Sequence, residues 1–543
     1  MPSARIIWHA RCKIGDAKGR EGMGVMANKS MFASYVGKLL PKANAKNREG
    51  APAYALLPKH QLAQIAATGT LSRTFYAAAH EQLEDVTTLA GQISPRFIAQ
   101  AAIWARTRGR MKDMPALLLA VLSTQDPVLL ARVFPRVIDN GRMLRTFVQI
   151  MRSGAVGRKS LGSRPKALVQ AWLNAASDAE ILRAAVGQSP SLADVIRMVH
   201  PKPASAERQA LYAYLIGKPY DVAMIPQAVR AFEAFKRDAR APVPDVPFQM
   251  LTALELTPQH WAAIAKSAGW QMLRVNLNTF DRQCVFALDG FAEMIAKRLS
   301  DPAEIAKSRV LPYQLMAAYM AASKDVPAIV REALQDAMET SVANVPAITG
   351  NVVICPDVSG SMRSPVTGVR KGATSAVRCI DVAALVAAAM LRANRAAHVL
   401  PFENDVVHVG LNPRDTVLTN AAKLAAIGGG GTNCSAPLAR LNARRAKVDL
   451  VVFVSDNQSW IDARSAAQGT GVMAEWTKLK SRNPEAKLVC IDIQPYGTTQ
   501  APERDDILNV GGFSDAVFEV VAKFASGQLD PGHWVAEIEK IEV

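Results

Sequence analysis

Val352-Val353-Ile354-Cys355-Pro356-Asp357-Val358-Ser359-Gly360-Ser361 decides how the second part of this 543-residue chain folds. An apolar, β-branched run of this length reads as a buried strand. It ends where a carboxylate and two hydroxyls begin. Alternate residues of an extended segment face the same way, so Asp357, Ser359 and Ser361 can aim their oxygens at one point. Such a cluster suits a hard divalent cation, with Mg²⁺ as the expected ion. Two more oxygens stand at comparable places: Thr432 follows the glycine run Gly428–Gly431, and Asp456 closes the apolar stretch Val448–Ser455. Taken alone, Ser-Gly-Ser also reads as a turn and Asp456 as a helix cap. Three pieces after separate strand signals favour the metal site.

Further runs at His398–Phe402, Leu450–Val454 and Leu488–Ile493 read as strands, and Ala376–Asn394 and Ala436–Arg445 as helices between them. Strand–helix alternation predicts an α/β Rossmann-like domain with a mostly parallel sheet. Ligands of such sheets sit beyond the carboxyl ends of the strands, where Asp357 and Asp456 fall. The D-x-S-x-S, Thr, Asp set resembles the metal-ion-dependent adhesion site (MIDAS) of von Willebrand factor A domains, departing from it mildly with Asn457 where many relatives carry glycine. No base, nucleophile and oxyanion set accompanies it, so the expected role is to hold an acidic group through a shared cation, without enzymatic chemistry.

Charge divides the chain. Pro346–Val543 holds 20 Lys+Arg and 20 Asp+Glu, which leaves 44 basic and 27 acidic residues in Met1–Val345 and places the whole formal excess of +17 there. An asymmetry of this kind points to a polyanionic partner for the first part. The six cysteines (Cys12, Cys284, Cys355, Cys379, Cys434 and Cys490) show no paired spacing and read as thiols of a reducing cytoplasm, with Cys434 expected to be accessible. No apolar segment is long enough to span a bilayer and no apolar signal core opens the chain, so a cytoplasmic protein without a membrane partner is expected.

The first 345 residues read as helix after helix. Leu62, Ile65 and Ala66, then Ile98, Ala101, Ala102 and Ala105, then Leu144, Phe147 and Ile150 recur at helical spacing. Ser94-Pro95, Asp126-Pro127, Thr257-Pro258 and Asp301-Pro302 are start signals, and Ser177 with Glu180 fits a capping box. No comparable strand alternation stands out. Short helix pairs in succession predict a HEAT-like α-solenoid. The aromatics of Ala51–Tyr54 and Trp270–Phe280 are assigned to the core.

Three segments are more specific. Leu57-Pro58-Lys59-His60-Gln61-Leu62-Ala63-Gln64, continuing through Thr68-Gly69-Thr70-Leu71 to Thr74-Phe75-Tyr76, resembles the opening of the TROVE module. Arg108-Gly109-Arg110-Met111-Lys112-Asp113-Met114-Pro115 and Asp194-Val195-Ile196-Arg197-Met198-Val199-His200-Pro201-Lys202-Pro203 resemble later blocks of it. TROVE followed by an A domain is similar to the Ro autoantigen family, here in a bacterial version. The domains expected are a flexible arm or start-site extension at 1–26, a HEAT-like TROVE domain at 27–345 and an A domain with MIDAS at 346–543.

The resemblance implies a toroid closed by the A domain, a monomer, and a role in quality control of small RNAs and in the stress response. It implies that single-stranded 3′ ends of misfolded non-coding RNA enter the central hole, that Y RNA binds the outer surface, and that polynucleotide phosphorylase associates through Y RNA. Lys and Arg neutralise phosphates, so the basic clusters are the candidate RNA contacts. These are Arg106, Arg108, Arg110 and Lys112; Arg158, Lys159, Arg164 and Lys166; and Arg197, His200 and Lys202. His200 matches a TROVE histidine tied to RNA binding, although a histidine before Pro201 also suits a helix C-terminus. The alternative is an adhesion or scaffold protein that grips an acidic protein ligand through Mg²⁺, which leaves the basic first part without a role. A nuclease would need a second carboxylate cluster with a base nearby.

Overall fold

Helices of the first part begin where the sequence supplies a capping oxygen. Ser94, Asp126, Thr257 and Asp301 each accept a backbone N–H from the first turn, and each precedes a proline. Proline there forgoes a donor that the helix cannot use, and each cap contributes about 1 kcal/mol. Ser177 and Glu180 complete their capping box. The computed structural model describes residues 40–68, 73–74, 76–187, 190–310, 312–343, 345–369, 377–460, 469–512, 515–529 and 533–543. The expected arm at 1–26, and residues 69–72 and 75 of the first TROVE-like block, lie outside them.

From Pro58–Thr68 to Ala328–Val342 the helices pack mainly on near neighbours. Pro95–Thr107 lies against Asp113–Gln125 and Pro127–Val137, and Phe291–Ser300 against Ala328–Val342. Nearest-neighbour stacking is how a HEAT-like array buries a core no single pair can bury. Phe97, Phe134, Phe147 and Phe280 are buried along it.

The strands are β1 (Ala45–Lys46), β2 (Pro52–Ala55), β3 (Val352–Pro356), β4 (His398–Val399), β5 (Leu450–Ser455), β6 (Lys487–Asp492), β7 (Thr498–Thr499) and β8 (Ile507–Gly511). Five of them form a sheet in the order β4-β3-β5-β6-β8, parallel throughout. Pro356 stands opposite Val454, so the segments after β3 and β5 leave the sheet side by side. Helix Cys379–Ala393 lies on β3 and β5 and is buried almost all round.

Three details go beyond the sequence reading. The first part does contain strands: β2 pairs antiparallel with β1 and with β7, too briefly for alternation to show. The run expected to Phe402 keeps only two strand residues, because Pro401 lacks a donor, although Phe402 N–H still donates to Pro356 O at 3.1 Å. β8 went unread because Asn509 interrupts its apolar run; the residue is buried, with Nδ2 donating to Ala501 O at 3.1 Å and Oδ1 accepting from the Thr499 hydroxyl at 2.6 Å.

The A domain meets both ends of the helical array. Helix Pro58–Thr68 packs on β8, and helix His533–Glu539 on both Pro58–Thr68 and Pro95–Thr107. At the other end Pro312–Ala321 packs on Cys379–Ala393, and Ala328–Val342 on Val417–Ala425. Glu339 fixes that joint, accepting from Val417 N–H at 2.7 Å and pairing with Arg392 at 3.5 Å. First and last helices thus share one partner, and the array closes into a toroid. No helix among the described residues is long and apolar enough to cross a membrane.

A side chain at Gly511 would stand 2.8 Å from Gln64 Cα and 2.9 Å from its carbonyl oxygen. Gly511→Ala is therefore expected to cost about 1–3 kcal/mol by forcing the first helix off β8. Urea unfolding of the variant checks this, and an unshifted midpoint would contradict so close a joint.

Candidate functional site

The chain paths that leave β3 and β5 bring the candidate metal ligands together. Asp357 N–H donates to Val454 O at 3.0 Å, which pins the start of the Asp-x-Ser-x-Ser loop to its neighbour. Asp357 Oδ2 accepts from the Ser455 hydroxyl at 2.6 Å and Oδ1 from Ser359 N–H at 2.9 Å. The Ser359 and Ser361 hydroxyl oxygens lie 3.3 Å apart. Gly360 N–H donates to Gly430 O at 2.9 Å, drawing the glycine run against this loop. Gly428 has φ +122°, and a side chain there would come within 2.6 Å of Val358 O, so only glycine lets the run approach. Thr432, at the end of that run, is buried, as are Asp357, Ser359, Ser361 and Asp456. The five predicted residues lie on loops that this packing holds against one another.

Asn457, the departure from the motif, sits at φ +58°. Asparagine tolerates the left-handed region where glycine is usual, and its Nδ2 donates to Asp492 Oδ2 at 3.0 Å. Burial raises the carboxyl pKa of Asp357, and burial followed by the charge of Asp357 pushes Asp456 up to about 8. Asp492 is pushed up to about 7 by burial. Among the described residues no Lys or Arg pairs with Asp357 or Asp456. Two buried like charges bounded by hydroxyls and lacking a cationic side chain are what a hard divalent ion neutralises. The donor set therefore fits the implied cation. Ser455 and Asp492 were not foreseen, although Asp492 ends β6 as Asp456 ends the β5 run.

Cys434, expected to be accessible, is buried, and burial lifts its thiol pKa well above the usual range. Its N–H donates to the Ser459 hydroxyl at 3.4 Å, which holds it under the loop after Asp456.

A second feature lies in the helical array: a cavity of about 1700 Å³ with walls from Arg106 through to Gln314. Its lining carries Arg106, Arg110, Lys112, Arg142, Arg145, Arg183, Arg274 and Arg309 against Asp139 and Asp245. Several of these cations are tied. Arg106 pairs with Asp139 at 2.7 Å, Arg145 donates to Val186 O at 2.7 Å, and Arg274 donates to Gln314 O at 2.6 Å. Arg110 donates to Arg309 O. Crowding by the protein and then by Arg142 and Arg106 lowers the Lys112 pKa although its side chain reaches solvent. Arg142 and Arg183 are exposed and make no side-chain hydrogen bond or ion pair among the described residues.

Of the predicted RNA contacts, Arg106, Arg110 and Lys112 line this cavity and Arg108 stands beside it, exposed. The other two clusters lie outside the lining but come together. Helix Ser163–Ala175 carries Arg164 and Lys166, and its Gln170 and Asn174 amides donate to His200 O and Lys202 O at 3.2 and 3.0 Å. Lys159, Arg164, Arg197, His200 and Lys202 are exposed, and Arg158 is half-buried with its guanidinium donating to Ser123 O at 3.2 Å. His200 occupies the C-cap of Leu192–Val199 at φ +51°. Arg142, Arg145, Arg183, Arg274 and Arg309 escaped the sequence reading because the cavity collects arginines from elements far apart in the chain.

Residues 351–525 match the family model of the Ro60 von Willebrand A domain. Across 528 residues the chain is 24% identical to RNA-binding protein RO60 of Deinococcus radiodurans, covering 90% of this chain and 97% of that protein. RNA-binding protein RO60 of Caenorhabditis elegans is 23% identical over 246 residues, 43% of this chain and 37% of the relative. The crystal structure of the Deinococcus radiodurans Ro (RSR) protein superposes with a TM-score of 0.56 at 22% identity, covering 87% of this chain and all of that one.

Without divalent cations, Asp456→Asn should be no less stable than the parent, since the amide cannot take on the charge that burial and Asp357 disfavour. With Mg²⁺ at a hundred times its dissociation constant, the parent should gain about 2.7 kcal/mol and the variant much less. Thermal unfolding in EDTA and in Mg²⁺ tests this reversal; parent curves that coincide in the two buffers would speak against a cation site.

Proposed function

We propose that this chain, whose residues 351–525 match the model of the Ro60 von Willebrand A domain, is an RNA-binding ring. Single-stranded 3′ ends of misfolded small RNAs enter the basic cavity, and structured RNA of the Y type lies on the outer surface. The observation that carries the reading is the cavity wall, where eight cations face two carboxylates. Backbone phosphates neutralise such a wall and release counterions, so binding is steep in salt and indifferent to sequence. The relatives named as RNA-binding proteins support it. The exposure of Lys159, Arg164, Arg197, His200 and Lys202 outside the cavity lining supports the second RNA position. In this reading the protein acts in cytoplasmic RNA quality control without cleaving RNA, and polynucleotide phosphorylase is recruited through the Y RNA.

The A domain contributes a cation, Mg²⁺ by the hardness of its oxygen donors. Asp357 and Asp456 would hold it with the hydroxyls of Ser359, Ser361 and Thr432. When bound it supplies positive charge to which a carboxylate can attach. The scaffold reading keeps this site but gives the cavity nothing to bind.

Filter binding of one structured RNA, with and without a single-stranded 3′ tail, tests the proposal across a salt series. Arg142→Gln and Arg183→Gln should weaken tail-dependent binding, each lowering the log–log salt slope by about 0.7. His200→Ser and Lys159→Gln should leave the tail-dependent part intact and weaken binding of the structured portion. Binding blind to the tail would remove the cavity from the function, and no RNA binding would leave the scaffold reading in its place.

A further inference from the structure

The cavity lining divides by chemistry. Its cations come from elements scattered between Arg106 and Arg309, whereas its longest continuous stretch, Pro242–Gln249, supplies none. That stretch offers prolines, valines, Phe248, one carboxylate and one carboxamide. Asp245 and Gln249 are exposed, and neither side chain makes a hydrogen bond or ion pair among the described residues. Other polar side chains of the lining are tied to backbone: Thr107 donates to Ile103 O, Asn276 to Met272 O and Ser308 to Ile305 O, each at 2.8 Å. The other carboxylate of the lining, Asp139, is held by Arg106. Asp245 pairs with none of the cations that share the cavity with it.

The loop is built to present this residue. Val246 N–H donates to Pro244 O at 2.9 Å, which closes a γ-turn with Asp245 at its centre. Pro244 is buried and anchors one side of the turn. On the other side Pro247 is the N-cap of helix Phe248–Leu251, and its carbonyl accepts from Met250 N–H at 2.8 Å. Fixed φ angles at Pro242, Pro244 and Pro247 stiffen the backbone between these anchors.

A carboxylate repels phosphate, and proline and valine offer it nothing. Unpaired bases suit the stretch better, because they carry flat faces and N–H donors on their edges. A carboxylate only accepts hydrogen bonds. Guanine sets two N–H donors side by side on its Watson–Crick edge, N1–H and the N2 amino group, one for each carboxylate oxygen. Adenine and cytosine place a single amino donor beside a ring acceptor, and uracil holds its N3–H between two carbonyls.

We infer that Pro242–Gln249 is the base-contacting part of the cavity, and that Asp245 is its specificity-determining residue, favouring guanine at one position of the strand. The inference rests on the RNA reading proposed above and deepens it. Phosphate contacts fix affinity and register without reading sequence, so a base preference has to come from groups of this other kind.

Fluorescence anisotropy of the full-length protein tests this with one RNA hairpin carrying a single-stranded 3′ tail. The tail is all uridine, or uridine with one guanosine, inosine or adenosine moved along it. In the parent, guanosine at one position should tighten binding about 5-fold or more over uridine. Inosine, which lacks the N2 amino group, should recover only part of that gain. Asp245→Asn should lose the preference while binding the all-uridine tail at least as tightly, since a charge that repels phosphate has gone. Retained binding of that tail also shows the variant to be folded. A parent that binds the tail but is indifferent to the base at every position overturns the inference, whatever the variant does. A guanosine preference that survives in Asp245→Asn overturns it as well. A parent blind to the tail altogether overturns the RNA reading and this inference with it.

Discussion

An array of stacked helices has two ends, and each end exposes an apolar face that the next helix would have covered. Here one domain covers both. β8 receives the first helix, and Cys379–Ala393 with Val417–Ala425 receive the last two. Everything else in the molecule depends on this double contact. It curves the array, brings Arg106 and Arg309 to the same cavity, and lays the segment around Asn47 on the loop after Asp456. The joint is close-packed rather than merely adjacent, as the approach of Gln64 to Gly511 shows.

Electrostatics divides along the same lines. The helical array gathers positive charge on an inner wall, while the A domain buries negative charge at the carboxyl ends of β3, β5 and β6. Neither collection is stable as it stands in a low-dielectric setting, since like charges at short range repel unless something answers them. The wall has partial internal answers in Asp139 and in backbone carbonyls. The A domain has hydroxyls and one amide but no cationic side chain on Asp357 or Asp456 among the described residues.

The A domain was legible because its signals are local: a short apolar strand followed by oxygen-bearing residues, repeated. Proline after a capping residue announced the helices in the same way. What stayed hidden was assembled from a distance. Arg142, Arg183 and Arg274 sit on separate helices, and only curvature places them on one wall. β2 and β7 are too short for alternation, and their pairing joins residues from opposite ends of the chain. Asn457 stood as a departure from the motif, and its positive φ gives the physical reason it is tolerated.

If the cavity binds RNA as proposed, the pair of Arg106 with Asp139 has a bearing on selectivity. Both nitrogens of the guanidinium fork are taken, Nε and Nη2 each donating to a carboxylate oxygen of Asp139 at 2.9 Å. That is the bidentate geometry a phosphate would use. Asp139 is thus a resident stand-in for the ligand, and an incoming strand exchanges one anion for another instead of filling a vacancy. Exchange yields less net free energy than simple addition, so a short strand gains little at this point. A longer one, reaching Arg142 and Arg183, which have no side-chain partner among the described residues, gains disproportionately. On the proposed function, the wall would discriminate by length because part of its charge is already spoken for.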